Sequence, residues 1–368
     1  MYIKRSRISQ LIKGMLTRSV QTAIITNPVD IFYYTGFLPH SWDMSALIVT
    51  DSEETHLIIP YSEYNRKLPN VDEIHVYSDY KITMNEDKIK NFEYVLLEIL
   101  KDHEERTIGY QKYNVPIAFR DFMITKVMPD NEIDISETIW SSRQIKDLEE
   151  IQHIKEASEK AEIGMRTAIE IIRPGETEKN YAIEIENVIK KLGVEQSEVN
   201  IISGERTARS YQASSIKKIK KDEPVIIDIV VAKDHYYSRI TRTIHTGTPE
   251  KRQKEVFKIL NTTITKIEEY AKSELAIREI DLNIRRNLSV EGLDKKAPHR
   301  TGNSIGLELI ERPFIDSESK DKLKENMILI INPAIYLENF GIQISNLFRV
   351  TSNGIENLVK IGKNIFTL

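Results

Sequence analysis

Asp228 and Arg239 are opposite charges set within the apolar, strand-like runs VIIDIVVA (225–232) and YYSRITRT (236–243). If these runs form a hairpin turning at Lys233-Asp234, the two side chains face one another directly on one face of the ribbon, with Cβ atoms roughly 5 Å apart. The chemistry of such a pair is an internal guanidinium–carboxylate bridge. Arginine is not deprotonated in a protein, offers no acceptor atom and repels a cation, so Arg239 cannot ligate a metal. Further along, HRTGNSIGLELIERP (299–313), INPAIY (331–336) and GIQISN (341–346) supply Asn303, Asn332 and Ser345. Their neutral oxygens suit loosely held calcium or a structural site better than a tight pair of transition ions.

The elements that position these residues follow from periodicity. In the N-terminal part, TAIIT, IFYYTGF and SALIVT read as strands separated by turn signals such as NPVD, and NFEYVLLEILKDH (91–103) reads as a helix; together they make an α/β domain. After ISETIW (135–140), the apolar residues Ile145, Leu148, Ile151, Ile154, Ala157 and Ala161 recur at helical intervals. They predict one long helix over 141–172, stopped by Pro174-Gly175. Thr177 then caps a second helix that ends at Gly193. A hairpin, a helix over 251–272, a short helix over 281–288 and the apolar runs MILIINPAIY and GIQISNLFRVT complete the chain. No internal repeat is legible.

The order and spacing of the four polar stretches resemble the pita-bread family, which includes Xaa-Pro dipeptidases (prolidases), aminopeptidase P, methionine aminopeptidases and creatinase. The phrase ITNPVDIFYYTGF likewise resembles the opening of the N-terminal domain of prolidases and creatinase. The resemblance implies an α/β (α+β) protein: a creatinase/prolidase-like N-terminal domain over 1–137 and a C-terminal pita-bread domain over 138–368. In the metal-using members an Asp on one strand, an Asp eleven residues later, a His in a Thr-Gly-His-Gly-Ile-Gly segment and two Glu near the C-terminus bind two divalent ions such as manganese, cobalt or zinc. Those positions here read Asp228, Arg239, Asn303, Asn332 and Ser345, and only Asp228 is kept. Four carboxylates in the family balance the charge of two divalent ions, whereas this set is already neutral as one acid and one base.

Two metals can lower the pKa of a bridging water only when anionic ligands hold them about 3.5–4 Å apart. The replacements therefore imply a protein that needs no metal cofactor and is not a working peptidase, with its cleft kept to bind a peptide or protein. The accessory groups agree. The family's proton-handling His aligns with Tyr211 in SGERTARSYQ (203–212), and the His of its His-Glu-x-x-Pro-like segment aligns with Ile310. An enzyme with a rebuilt metal-free hydrolase site is the alternative, with His299, Glu311, Tyr211 and Arg242 as its candidate catalytic groups. An active metal-dependent Xaa-Pro dipeptidase is the third reading. Glu308 and Thr241 are also retained, and Glu311 is placed to complete a charge triad with Arg239 and Asp228. For each acid and for His299, satisfying a charge partner is the first expectation.

Composition narrows the rest. With 40% hydrophobic and 29% charged residues in 368, the chain is long enough for two cores. A net charge of −4 with interspersed signs excludes nucleic-acid binding through bulk charge. The cluster IKKIKK (216–221) reads as a solvated loop beside Asp222-Glu223. The absence of cysteine excludes disulfides, thiolate metal sites and thiol nucleophiles, and with no run of ~20 apolar residues the chain is expected to be cytoplasmic rather than secreted or membrane-embedded. A homodimer is expected, or a heterodimer with an active relative. His40, His56, His75, His103, His153, His235 and His245 show no ligand spacing and read as surface or packing residues.

Overall fold

A computed structural model describes every residue except 1, 68, 70, 81–89, 102–106, 364–365 and 368; His103 lies outside the described residues. The chain divides into two compact units, Met1–Arg143 and Gln144–Leu368.

In the first unit six strands form a mixed sheet, in the spatial order Glu73–Tyr77, Thr55–Pro60, Ala46–Thr50, Thr22–Ile25, Thr107–Tyr110, Asn131–Asp134. Thr22–Ile25, Ala46–Thr50 and Thr55–Pro60 pair antiparallel, and the outer pairings are parallel. Parallel neighbours need crossovers; the helix Ile117–Phe122 lies in the one between Thr107–Tyr110 and Asn131–Asp134, and the helix Phe92–Lys101 leads from Glu73–Tyr77 to Thr107–Tyr110. Its Phe92, Leu96 and Ile99 recur at helical spacing and bury against Ile24, Ile48 and Ile58. One sequence expectation is overturned: IFYYTGF is not a strand but mostly the helix Pro28–Thr35. Asn27 caps it by accepting from the Val29 amide, Pro28 stands in its first turn, and Gly36 ends it with φ 75°. These start and stop signals override the β-preference of the aromatic residues between them.

The second unit repeats one module. Helices Leu148–Ile171 and Glu178–Lys190 precede the antiparallel strands Gln196–Ser203, Pro224–Lys233 and Tyr236–His245. Helices Lys251–Tyr270 and Ile277–Val290 then precede Gly302–Ser304, Glu311–Ile315, Ile328–Ile331 and Asn346–Val350, which share a second sheet. The repeat lies in element order and not in residue identity, which is why the sequence does not display it. Val256, Leu260 and Ile264 from one helix and Ile280, Ile284 and Leu288 from the next bury together with Leu329, Ile331 and Phe348. The long helix expected over 141–172 is interrupted, with separate helices at Ser136–Gln144 and Leu148–Ile171. Asp147 starts the second through a reciprocal capping box with Glu150, and the periodic residues Ile145 and Leu148 are exposed. Thr177 caps Glu178–Lys190 as expected, accepting from Asn180 N.

The hairpin that carries Asp228 and Arg239 turns one residue later than expected. Asp234 and His235 form its two-residue loop with φ of 50° and 70°, and Lys233 pairs with Tyr236. Asp228 is therefore opposite Thr241, and Arg239 is opposite Val230. A shift of two positions preserves the face on which each side chain stands, so the two charges remain diagonal neighbours on one face. No helix among the described residues is long and apolar enough to cross a membrane.

Candidate functional site

A cleft of about 440 Å³ in the second unit is lined by Asp228, Arg239, His299, Asn303, Asn332 and Tyr336, among others. Arg239 spans its floor with a two-pronged contact: Nε donates to Asp228 Oδ1 and Nη2 to Oδ2, each at 2.8 Å. Thr241 Oγ1 adds a third donor to Asp228 Oδ1 at 2.6 Å. Parallel guanidinium–carboxylate bonds of this kind are the strong, geometrically specific ones. Burial works against the Arg239 cation, but Asp228 outweighs it and holds the guanidinium above its ordinary pKa. Among the described residues, Arg239 Nη1 has no acceptor.

The other three positions are occupied by local bonds. Asn303 Nδ2 donates to the carbonyls of Ser304 and Leu309 at 2.6 and 3.0 Å. Asn332 Oδ1 accepts from Gln343 Nε2 at 2.7 Å. Ser345 is fully buried, where its Oγ accepts from Thr241 N at 2.7 Å and bonds Thr241 Oγ1 at 3.1 Å. It fastens the segment 344–345 to the strand Tyr236–His245 and does not line the cleft as Asn303 and Asn332 do.

His299, Tyr211 and Tyr336 form an aromatic corner of the cleft, with ring centroids 6.4 and 5.8 Å from the imidazole. His299 Nδ1 is 2.8 Å from the Arg300 carbonyl, which assigns the proton to Nδ1 and leaves Nε2 as an acceptor 3.4 Å from Tyr336 Oη. Burial, reinforced by Arg239 and Arg285, lowers the His299 pKa despite the bond to Arg300, so the ring is neutral at neutral pH. Burial likewise pushes Tyr336 up to about 12. Tyr211 is exposed and holds a left-handed φ of 54°, and Ile310 is an exposed apolar lining residue where the family resemblance would place a histidine.

Two candidate catalytic residues stand in other networks. Arg242 is buried and donates to the carbonyls of Thr241, Ser345, Ile361 and Gly362 and to Asn346 Oδ1, tying the C-terminal segment to the sheet. Burial lowers its pKa to about 10, which leaves it charged at neutral pH. The expected triad of Asp228, Arg239 and Glu311 does not form. Glu311 Oε2 accepts instead from Lys146 Nζ at 2.9 Å, and the same ammonium donates to Ser304 Oγ at 3.1 Å. Lys146 was not singled out by the sequence because its partner lies 165 positions away and nothing local marks it.

Three of the histidines read as surface or packing residues stand beside acidic groups. His56, Glu73 and His75 converge in the first unit, and His153, Glu156 and Asp234 converge in the second. The Glu-x-His spacing at 73–75 is visible in the sequence, but the strand pairing that brings His56 to it is not.

Fold and cleft together define a two-domain protein of prolidase and creatinase architecture. The sequence signature of metallopeptidase family M24 matches residues 152–352, and that of the creatinase/prolidase N-terminal domain matches residues 7–145. The Xaa-Pro dipeptidase of Pyrococcus furiosus is 30% identical over 370 residues, covering 98% of this chain and 99% of that protein. An uncharacterized peptidase of Staphylococcus haemolyticus is 29% identical and covers 97% of this chain and 100% of its own. The crystal structure of the prolidase from Pyrococcus horikoshii matches with a TM-score of 0.88 at 26% identity, covering 98% of this chain and 100% of that one. The chain belongs to metallopeptidase family M24, with a pita-bread domain behind a creatinase/prolidase N-terminal domain.

The metal pair that this family implies does not fit the donors at the corresponding positions. Both oxygens of Asp228 are taken by Arg239, and the remaining positions offer amides and a hydroxyl already bonded to protein groups. Two divalent ions would add four positive charges beside a fixed guanidinium, against one carboxylate.

Truncating Arg239 to alanine leaves Asp228 with the Thr241 hydroxyl as its remaining side-chain donor. Removing one partner of a fully buried pair costs about 3–5 kcal/mol; with 22% and 14% of the two side chains exposed to a wet cleft, about 2–3 kcal/mol is expected. Thermal unfolding measures it, and an alanine variant that melts with the parent would contradict the pairing.

Proposed function

We propose that this Xaa-Pro dipeptidase-like protein does not hold two catalytic metals and does not hydrolyse Xaa-Pro peptides, and that its cleft binds an extended peptide. The observation that carries this reading is the two-pronged Arg239–Asp228 contact, which engages the one retained carboxylate on both oxygens. The groups left over suit a peptide backbone. Arg239 Nη1 and Asn332 Nδ2 are donors, and Asn303 Oδ1 is an acceptor, none of them bonded among the described residues. Paired N–H and C=O groups of an extended chain present the complementary pattern.

A rebuilt metal-free enzyme is the second reading, and one observation favours it: His299 is neutral, with an acceptor nitrogen directed at the cleft corner. Its Nε2 has Tyr336 Oη as a neighbour at 3.4 Å, so hydrolysis there would have to activate a water. Among the described lining residues there is no serine, threonine or cysteine, and the raised pKa of Tyr336 makes its phenolate scarce.

A peptide library screened against the parent and an Asn303→Trp/Asn332→Trp variant tests the proposal. Selected peptides should bind the parent, be recovered uncut by mass spectrometry, and bind the blocked variant at least about tenfold more weakly, the loss of roughly 1.4 kcal/mol. Equal binding to both proteins, or none to either, would remove the cleft as the binding site. Cleaved peptide that depends on His299 would instead support the second reading.

A further inference from the structure

His56, Glu73 and His75 place two imidazole nitrogens and a carboxylate oxygen in a small triangle on the sheet of the first unit. The strands Thr55–Pro60 and Glu73–Tyr77 run parallel, with His56 opposite Glu73 and Ile58 opposite His75. Glu73 and His75 are two residues apart on the edge strand, so both project from one face, and the pairing brings His56 to the same face. The three sides of the triangle are short and nearly equal. His56 Nδ1 is 3.2 Å from His75 Nε2 and 3.5 Å from Glu73 Oε2, and His75 Nε2 is 3.3 Å from Glu73 Oε2.

Three ligand atoms held about 2.0–2.2 Å from one zinc ion at tetrahedral angles stand about 3.3–3.5 Å apart. The triangle already has those dimensions. We propose that His56, Glu73 and His75 form a binding site for one divalent transition cation of the zinc class, at the edge of the N-terminal sheet. Two imidazoles and one carboxylate form a borderline donor set, which favours such an ion over magnesium or calcium with their all-oxygen shells.

The surroundings agree with a fixed site. Both histidines are half-buried on strands rather than on loops, while the Glu73 side chain is 61% exposed. An ion there would pin the edge strand to its neighbour by side chains as well as by backbone bonds, and would keep the exposed edge from peeling or pairing with another chain. The site lies wholly within the first unit and does not depend on how the cleft of the second unit is used.

The test uses the 368-residue chain, stripped of metal with a chelator, desalted and titrated calorimetrically with zinc chloride at about pH 7.5. The parent should take up about one equivalent through this site and melt at a higher temperature when loaded. His75→Ala should abolish that uptake, Glu73→Gln should weaken it at least about tenfold, and His153→Ala should leave it unchanged. Glu73 is exposed, so its glutamine variant keeps the fold even where the histidine variant does not, and circular dichroism checks both. No saturable zinc binding by the parent would overturn the proposal. So would parental affinity in folded Glu73→Gln, or uptake that only His153→Ala removes.

Discussion

Replacing Lys146 with alanine is expected to destabilise the second unit by about 3–5 kcal/mol, because it strips the cation from a buried ion pair and leaves the Glu311 carboxylate behind. The two side chains are 1% and 5% exposed, and the N–O distance is 2.9 Å. The Lys146 ammonium also donates to Ser304 Oγ, and the Glu311 carboxylate accepts from the Glu308 amide, so the pair joins the start of the helix Leu148–Ile171 to the segment 304–311. Packing around it is tight: a Cβ at Gly306 would meet both Glu311 oxygens at 2.9 Å and Lys146 Cε at 3.0 Å. For a unit of this size each kcal/mol moves the melting temperature by about 2–4 °C, so calorimetry should show its transition lowered by roughly 6–20 °C. Replacing both partners with apolar residues, Lys146→Met with Glu311→Leu, should recover much of the loss, since no charge is then left unpaired. A single alanine variant whose calorimetric profile matches the parent would contradict the assignment.

The legible parts of this protein are those written in local chemistry. Thr177 marks its helix start by side-chain type alone, and the apolar runs 225–232 and 236–243 announce a hairpin. The identities of Arg239, Asn303 and Asn332 announce a guanidinium and two amides, and all three line the cleft. Other features depend on interactions with no local mark. IFYYTGF has strand-like composition, but the Asn27 cap and the Gly36 stop decide for helix. The turn at Asp234–His235 rather than Lys233-Asp234 rests on two residues accepting positive φ, and it converts a directly opposed Asp228–Arg239 pair into a diagonal one. Glu311, an acid retained from the family pattern, is expected to join Arg239 and Asp228; a lysine far away in the chain claims it instead. The convergence of His56 on Glu73 and His75 is set by which strands pair, which no spacing rule encodes.

The second large effect is catalytic. A two-metal peptidase centre accelerates amide hydrolysis at least about a millionfold, and this chain is expected to supply none of that acceleration. The reason is the site itself: Arg239 occupies both oxygens of Asp228, and no other carboxylate stands at the positions where the family holds its ions. Supplying metal should not restore activity, because the missing groups are ligands and not ions. The proposed zinc site of the first unit must be silenced for this to be read cleanly.

The most direct measurement is the metal content and Xaa-Pro dipeptidase activity of the folded His75→Ala protein after dialysis against manganese, cobalt or zinc and desalting. Well under one equivalent of metal per chain and hydrolysis indistinguishable from the buffer blank are expected with each ion. Two equivalents per chain, together with turnover of an Xaa-Pro dipeptide, would contradict it.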